Sequence, residues 1–299
     1  MSSRVLIAAW LTWPAGLLLA LAYAMGQVIP TTVFAVFAVA YVGAALLLLR
    51  TLDGSADRPA AALVLAGVGI FVLAGATGEP TAREPALMLL NAAVLAAVAM
   101  TLLVAATRLA LRCESARAPA ALAVLALVVG SGGYLINLVA RWAVVLSGSA
   151  GLQLEVESSS WVAYAYLPGL DSAPTFLGFL LVLLDLLQLT YVVLGYVGFA
   201  ALAVALGRAG ALSAGASQGI AMAGFALAAV AGGSAMSALL LPGVGATVAG
   251  WSAFVLTIPF MSTLLPFALG VGLLRAHRAR PAVGDAKVPA LDPQGARRG

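Results

Sequence analysis

Long apolar runs recur along the whole chain, separated by short segments that hold most of its charges and prolines. A helix needs roughly 20 apolar residues to cross a bilayer, whereas a barrel strand alternates polar and apolar positions over about 10 residues. The runs are long and continuous, so they predict eight transmembrane helices and no barrel. They lie at residues 5–25, 29–49, 60–77, 86–107, 118–146, 175–206, 214–241 and 248–274.

The composition supports a membrane protein. Of the 299 residues, 63% are hydrophobic and only 9% are charged, and the mean hydropathy is +1.10. A soluble chain carries about 25% charged residues, so this chain lacks the charge to cover a soluble surface. We therefore expect an all-α, polytopic bundle over residues 1–276 whose main partner is the lipid bilayer. We read the net charge of +4 as a signal of orientation, not of nucleic-acid binding.

The basic residues predict the orientation, because cytoplasmic loops of membrane proteins are enriched in Lys and Arg. With both termini in the cytoplasm, 13 of the 15 basic residues fall inside; Arg83 lies outside, and Arg141 lies within or at the edge of a span. We thus expect an N-in, C-in protein, in a plasma membrane. The same arrangement makes residues 148–173 an external loop and places residues 277–299 in the cytoplasm. These last residues have Pro, Gly, mixed charge and few large apolar side chains, which predict a disordered tail.

The first span has a second interpretation. Arg4, the following apolar run and the residues Ala22-Tyr23-Ala24 resemble a signal peptide with its cleavage site. The run is longer than the usual apolar region of about 7–15 residues, and it contains two tryptophans and a proline. We favour an uncleaved helix; cleavage would leave seven spans in the same orientation.

Residue types needed for several chemistries are scarce. The single histidine (His277) and the single lysine (Lys287) both fall in the predicted tail, which leaves no histidine for a haem or metal site in the membrane. The single cysteine, Cys113, lies in a predicted cytoplasmic loop and has no partner for an intramolecular disulfide. We accordingly predict no cofactor and no metal.

One loop resembles part of an enzyme signature. The stretch Asp53-Gly54-Ser55-Ala56-Asp57-Arg58, with Gly67, resembles the start of the CDP-alcohol phosphotransferase signature. That chemistry needs several carboxylates to hold divalent metal. The later aspartates of the signature would fall on Phe71 and Gly75. We therefore interpret the loop as a solvated turn and expect no catalytic residues, although an enzyme stays open.

Polar residues lie along one side of each of two consecutive spans. Those of the fifth span are Tyr134, Asn137 and Arg141, and those of the sixth are Asp185, Gln188 and Tyr191. Ionisable residues at membrane depth are costly and mark functional sites by default. We predict a substrate-binding site in which Arg141 pairs with Asp185, beside Asn137, Gln188 and Tyr134. In the alternative, Arg141 extends to the headgroups and local hydroxyls satisfy Asp185.

Small residues mark two further surfaces. The stretch Gly130-Ser131-Gly132-Gly133 in the fifth span predicts either a broken helix that receives an anionic group or close helix packing; we favour packing. The seventh span has two sets of small residues at four-residue spacing, which predict a contact with a membrane-protein partner or a second copy. The sets are Gly215/Gly219 and Gly224/Ala228/Gly232.

Two functions fit these features. The first is a carrier or permease for a small or amphipathic solute, with its site between the fifth and sixth spans. The alternative is a non-catalytic membrane subunit or assembly factor, which the scarcity of buried polar groups favours. A lipid-modifying enzyme ranks below both, because no credible catalytic cluster is evident in the sequence.

Overall fold

The structure is a computed structural model, and it describes residues 5, 31–77, 85–148, 175–240 and 258–279. Within these ranges the chain is all-helical and has no strand, as predicted. A short 3₁₀ helix, Glu114–Ala116, accompanies seven α-helices. These are α1 (Thr31–Thr51), α2 (Arg58–Thr77), α3 (Pro85–Ala110), α4 (Arg117–Gly148), α5 (Thr175–Arg208), α6 (Ala214–Leu240) and α7 (Ile258–Ala279).

The helices follow the predicted apolar runs. The fifth and sixth predicted spans correspond to α4 and α5, and the seventh corresponds to α6. The first predicted span (beyond Val5), the external loop after Gly148 and the tail beyond Ala279 lie outside the described residues. Helix α7 continues to Ala279, so His277 belongs to a helix and not to a disordered tail.

Within the described residues, four segments are long and apolar enough to cross a membrane, which indicates a membrane protein. They are Ala92–Ala110, Glu114–Ala140, Leu186–Arg208 and Ala214–Ser234. Many large apolar side chains are exposed on the described helices, among them Val36, Val39 and Leu125. Such positions suit lipid and would be costly in water. The total of eight spans and the N-in, C-in orientation stay predictions.

The centre of the bundle is formed by α2 and α5. Every residue from Pro59 to Ile70 of α2 is buried, as expected of a helix that is apolar on all sides. Two-thirds of the apolar segment of α5 (67%) is buried, against 22% of that of α6. Helix α5 packs against α4 on one side and α6 on another, while α2 packs most closely against α7. Helix α6 therefore lies at the periphery.

Most arginines of the described helices gather at one end of the bundle, which we call the basic end. It holds the last turns of α1, α3 and α5 and the first turns of α2 and α4, with Arg50, Arg58, Arg108, Arg117 and Arg208. Contacts across this end join segments that are distant in sequence: Arg112 donates a hydrogen bond to the Ala56 carbonyl at 3.4 Å. The predicted orientation places the basic end in the cytoplasm.

Local sequence signals explain the tight connection between α5 and α6. Gly210 has a φ of 68°, which glycine adopts without steric cost. The Ala211 N–H donates to the Leu206 carbonyl at 2.8 Å and the Gly210 N–H to the Gly207 carbonyl at 3.0 Å, the bond pattern of a Schellman motif. Ser213 then caps α6 by accepting the Ala216 N–H at 3.4 Å. The two helices are thereby held as a close antiparallel pair.

Candidate functional site

The contact between α4 and α5 is close because glycines line it. A Cβ atom on Gly130 would lie 3.2 Å from the Leu194 Cβ, and one on Gly198 would lie 2.6 Å from the Leu127 Cγ. Helix α4 is continuous from Arg117 to Gly148, through the glycine-rich stretch. The described geometry thus agrees with close packing and not with a broken helix. Gly132 differs from its neighbours, since it faces open space.

Two of the predicted site residues are buried in this contact. Asn137 is fully buried, and its Nδ2 donates a hydrogen bond to the Leu184 carbonyl of α5. Tyr134 is also buried, and its ring stacks on that of Tyr191 with a centroid distance of 4.5 Å and an interplanar angle of 7°. The stripe predicted on α4 therefore faces the stripe predicted on α5.

Helix α7 supplies a polar residue that the sequence did not single out. Ser262 is fully buried, and its side chain lies next to that of Tyr191 on α5. Gly195, one turn beyond Tyr191, allows this approach, because a Cβ there would lie 2.5 Å from the Met261 Sδ. The side chains of Tyr134, Asn137, Tyr191 and Ser262 thus form a polar cluster, which we call the three-helix cluster, where α4, α5 and α7 meet.

The predicted ionisable pair lies next to this cluster along the two helices. Asp185 directly follows Leu184, the residue that accepts the Asn137 hydrogen bond. Arg141 lies one helical turn beyond Asn137, about 6 Å along α4 and away from the basic end. The side chains of both lie outside the described residues, so their pairing stays a prediction. Gln188, one turn from Leu184, is half-buried on α5.

A second set of polar residues lies at the basic end. Asp53 forms an ion pair with Arg58 across the turn between α1 and α2. His277 Nδ1 lies 2.5 Å from a carboxylate oxygen of Asp57, which joins the end of α7 to the start of α2. No group of three or more histidine, cysteine or acidic side chains in the described ranges could hold a metal ion. These two contacts instead connect the ends of α1, α2 and α7 to one another.

The small residues of α6 are divided between two sides of the helix. Gly224 and Ala228 are buried; a Cβ on Gly224 would lie 2.8 Å from the Ala200 Cβ of α5. Gly215, Gly219 and Gly232 have no atom within 4 Å of a Cβ built on them. The five predicted residues do not form one continuous surface, and an association through α6 would use the three glycines that face open space.

Cys113 provides a direct test of packing at the basic end. The residue is 2% exposed, its Sγ lies 3.4 Å from the Leu109 carbonyl, and burial raises the pKa of its thiol. Since thiolate is the reactive form, we expect maleimide labelling of native protein at pH 7.5 to be at least about tenfold slower than labelling in denaturing detergent.

The labelling is measured by intact mass, and the chain has only one cysteine, so the stoichiometry reports this site alone. Equal rates in native and denatured protein would contradict the buried position.

No family model matches the chain, and no curated protein or solved structure matches it.

Proposed function

We propose that the protein is a carrier for a small or amphipathic solute, with its site where α4, α5 and α7 meet. The observation that supports this proposal is the three-helix cluster. Polar groups at membrane depth are expensive, and packing alone would be served as well by apolar residues. Hydroxyl and amide groups from three helices converge instead, directly beside two ionisable residues.

The proposal gives each residue a role. Arg141 holds an anionic group of the solute or neutralises Asp185 when the site is empty, and Asp185 binds a proton or a cation. Asn137 holds α4 against α5 through the Leu184 carbonyl, and the Tyr191 and Ser262 hydroxyls offer hydrogen bonds to the solute. When one of the three helices moves, the path by which the solute enters or leaves the site opens or closes.

Helix α7 is the element suited to move. Pro266 lies inside it, one turn beyond Ser262. A proline removes one backbone hydrogen bond and bends a helix. Thr263 meanwhile anchors this helix to α2 by donating a hydrogen bond to the Gly67 carbonyl at 2.8 Å. Because Thr263 is adjacent to Ser262, bending at Pro266 would move the part of α7 beyond the proline, while the Ser262 side chain stays beside Tyr191.

Uptake into proteoliposomes tests the proposal, with solutes first selected by their effect on thermal unfolding. Arg141→Ala and Asp185→Asn are expected to reduce uptake about tenfold, the loss of about 1.4 kcal/mol of charge-assisted binding. Arg83→Gln is the matched control, because Arg83 is the other basic residue expected on that side. Full uptake by both site variants, or equal loss in the control, would refute the site.

The alternative is a non-catalytic membrane subunit, and one observation favours it. The outer side of α1 is apolar and exposed, with Val36 and Val39 each more than two-thirds exposed, and Gly215 and Gly219 of α6 face open space. Both sides could contact another membrane protein. Purification in mild detergent at native expression level distinguishes the two functions. A stoichiometric companion would favour the subunit, and elution alone would favour the carrier.

A further inference from the structure

A groove between α5 and α6 opens at the basic end. It has a volume of about 510 Å³ and is lined by apolar side chains, including Val204 of α5 and Ala221, Met222 and Phe225 of α6. Met222 is 65% exposed and Phe225 43%, so the groove lies on the outer surface of the bundle. On the surface of a membrane-spanning helix pair, such a groove faces lipid.

The polar residues of the groove are confined to its end. Arg208 and Gln218 line the groove at the basic end, and none of the nine described lining residues is acidic. In the described part of the chain Arg208 forms no ion pair or hydrogen bond, in contrast to Arg58, which pairs with Asp53. The groove thus offers a positive charge at its mouth and an apolar surface beyond it.

The polar side chain on the floor of the groove already has a hydrogen-bond partner. Ser217 donates a hydrogen bond to the Ala203 carbonyl at 2.9 Å, and its side chain occupies the space that a Cβ on Gly207 would need. A polar solute would therefore find no free hydrogen-bonding group on the floor at this point, whereas an apolar chain needs none. From Gln218 to Phe225 the groove extends about 10 Å along α6. This is most of the ~15 Å depth of one leaflet's hydrocarbon.

We propose that this groove binds an anionic phospholipid, with the phosphate at Arg208 and an acyl chain against Val204, Ala221 and Phe225. Charge complementarity identifies the occupant, because an arginine without an acidic partner lies at the headgroup end of an apolar groove. The predicted orientation places this end in the cytoplasmic leaflet, where anionic lipids are enriched in many membranes. The proposal is independent of the carrier function.

Native mass spectrometry with added phosphatidylglycerol or phosphatidylcholine tests the headgroup. Phosphatidylglycerol should remain bound to the wild-type protein, and Arg208→Gln should weaken its retention about fivefold, the contribution of one basic residue near the membrane. Arg208→Lys should keep most of the binding. Arg50→Gln is the matched control, since Arg50 is also an exposed arginine in the last turn of a helix at the same end but does not line the groove.

Several results would overturn the proposal. Equal losses in Arg208→Gln and Arg50→Gln would indicate general charge attraction, and equal retention of the two lipids would exclude recognition of the anionic headgroup. Displacement of the lipid by excess inorganic phosphate alone would indicate a site for a free anion. Melting curves of all variants ensure that folded proteins are compared.

Cross-linking tests the acyl chain. Phosphatidylglycerol with a photoreactive acyl chain should label α5 and α6 near Val204 and Phe225 more strongly than the exposed side of α1 at Val36 and Val39. Arg208→Gln should remove that preference. Even labelling of all exposed helices would indicate only ordinary surrounding lipid and would refute a defined site.

Discussion

Asn137→Asp is expected to lower the free energy of unfolding by about 3–5 kcal/mol, the usual cost of a buried charge without a partner. Asn137 is fully buried and donates its amide hydrogen bond to the Leu184 carbonyl. An aspartate carboxylate accepts hydrogen bonds and cannot donate one, so an oxygen would face the carbonyl oxygen within the buried contact of the two helices. The contact that holds α4 against α5 would become repulsive.

The control is Asn137→Leu, which removes the hydrogen bond without adding charge and is expected to cost only about 1 kcal/mol. Thermal unfolding in detergent, followed with a dye that reacts with thiols, suits this chain because its single cysteine is buried. The aspartate variant should melt about 10 °C lower than wild type. Equal melting temperatures for the two variants would mean that no buried carbonyl faces residue 137.

The arrangement around Asn137 shows what the sequence can predict about this fold. Tyr134, Asn137 and Arg141 share a helix face by their spacing, and consecutive antiparallel spans tend to be neighbours, so the α4 stripe could be placed against α5. Helix positions could also be predicted, since span length follows from bilayer thickness. The acceptor of the Asn137 hydrogen bond could not be predicted, because Leu184 contributes its backbone carbonyl and nothing in its side chain indicates that role.

Contacts between segments that are distant in sequence could not be predicted either, for a related reason. Ser262 meets Tyr191, and His277 meets Asp57 across 220 positions, although neither Ser262 nor His277 lies in a sequence pattern that indicates its partner. In a bundle that is apolar nearly throughout, the periodic pattern indicates little about which side of a helix is buried. The small residues of α6 illustrate this: we predicted one contact surface for them, and the structure buries Gly224 and Ala228 but leaves Gly215 and Gly219 facing open space.

Gly270→Ala is expected to destabilise the protein by about 2 kcal/mol, although alanine is the better helix former. A Cβ at this position would lie 2.6 Å from the Ala60 carbonyl oxygen and 2.6 Å from the Val64 Cγ2, and 3.1 Å from the Val64 nitrogen. Two of these atoms are backbone of α2, whose residues from Pro59 to Ile70 are all buried and cannot shift without disturbing their other contacts. The methyl group would force α7 away from α2.

The matched control is a second glycine-to-alanine substitution, which is expected to stabilise the protein. Gly132 lies within α4 and has no atom within 4 Å of a Cβ built on it. Gly132→Ala should therefore gain up to about 1 kcal/mol from helix propensity alone. Thermal unfolding should show a decrease of about 5 °C for Gly270→Ala and a small increase for Gly132→Ala. If both variants became more stable, α7 would not pack against α2 as closely as the structure has it. The Thr263 hydrogen bond that anchors α7 in the proposed carrier would then lose its support.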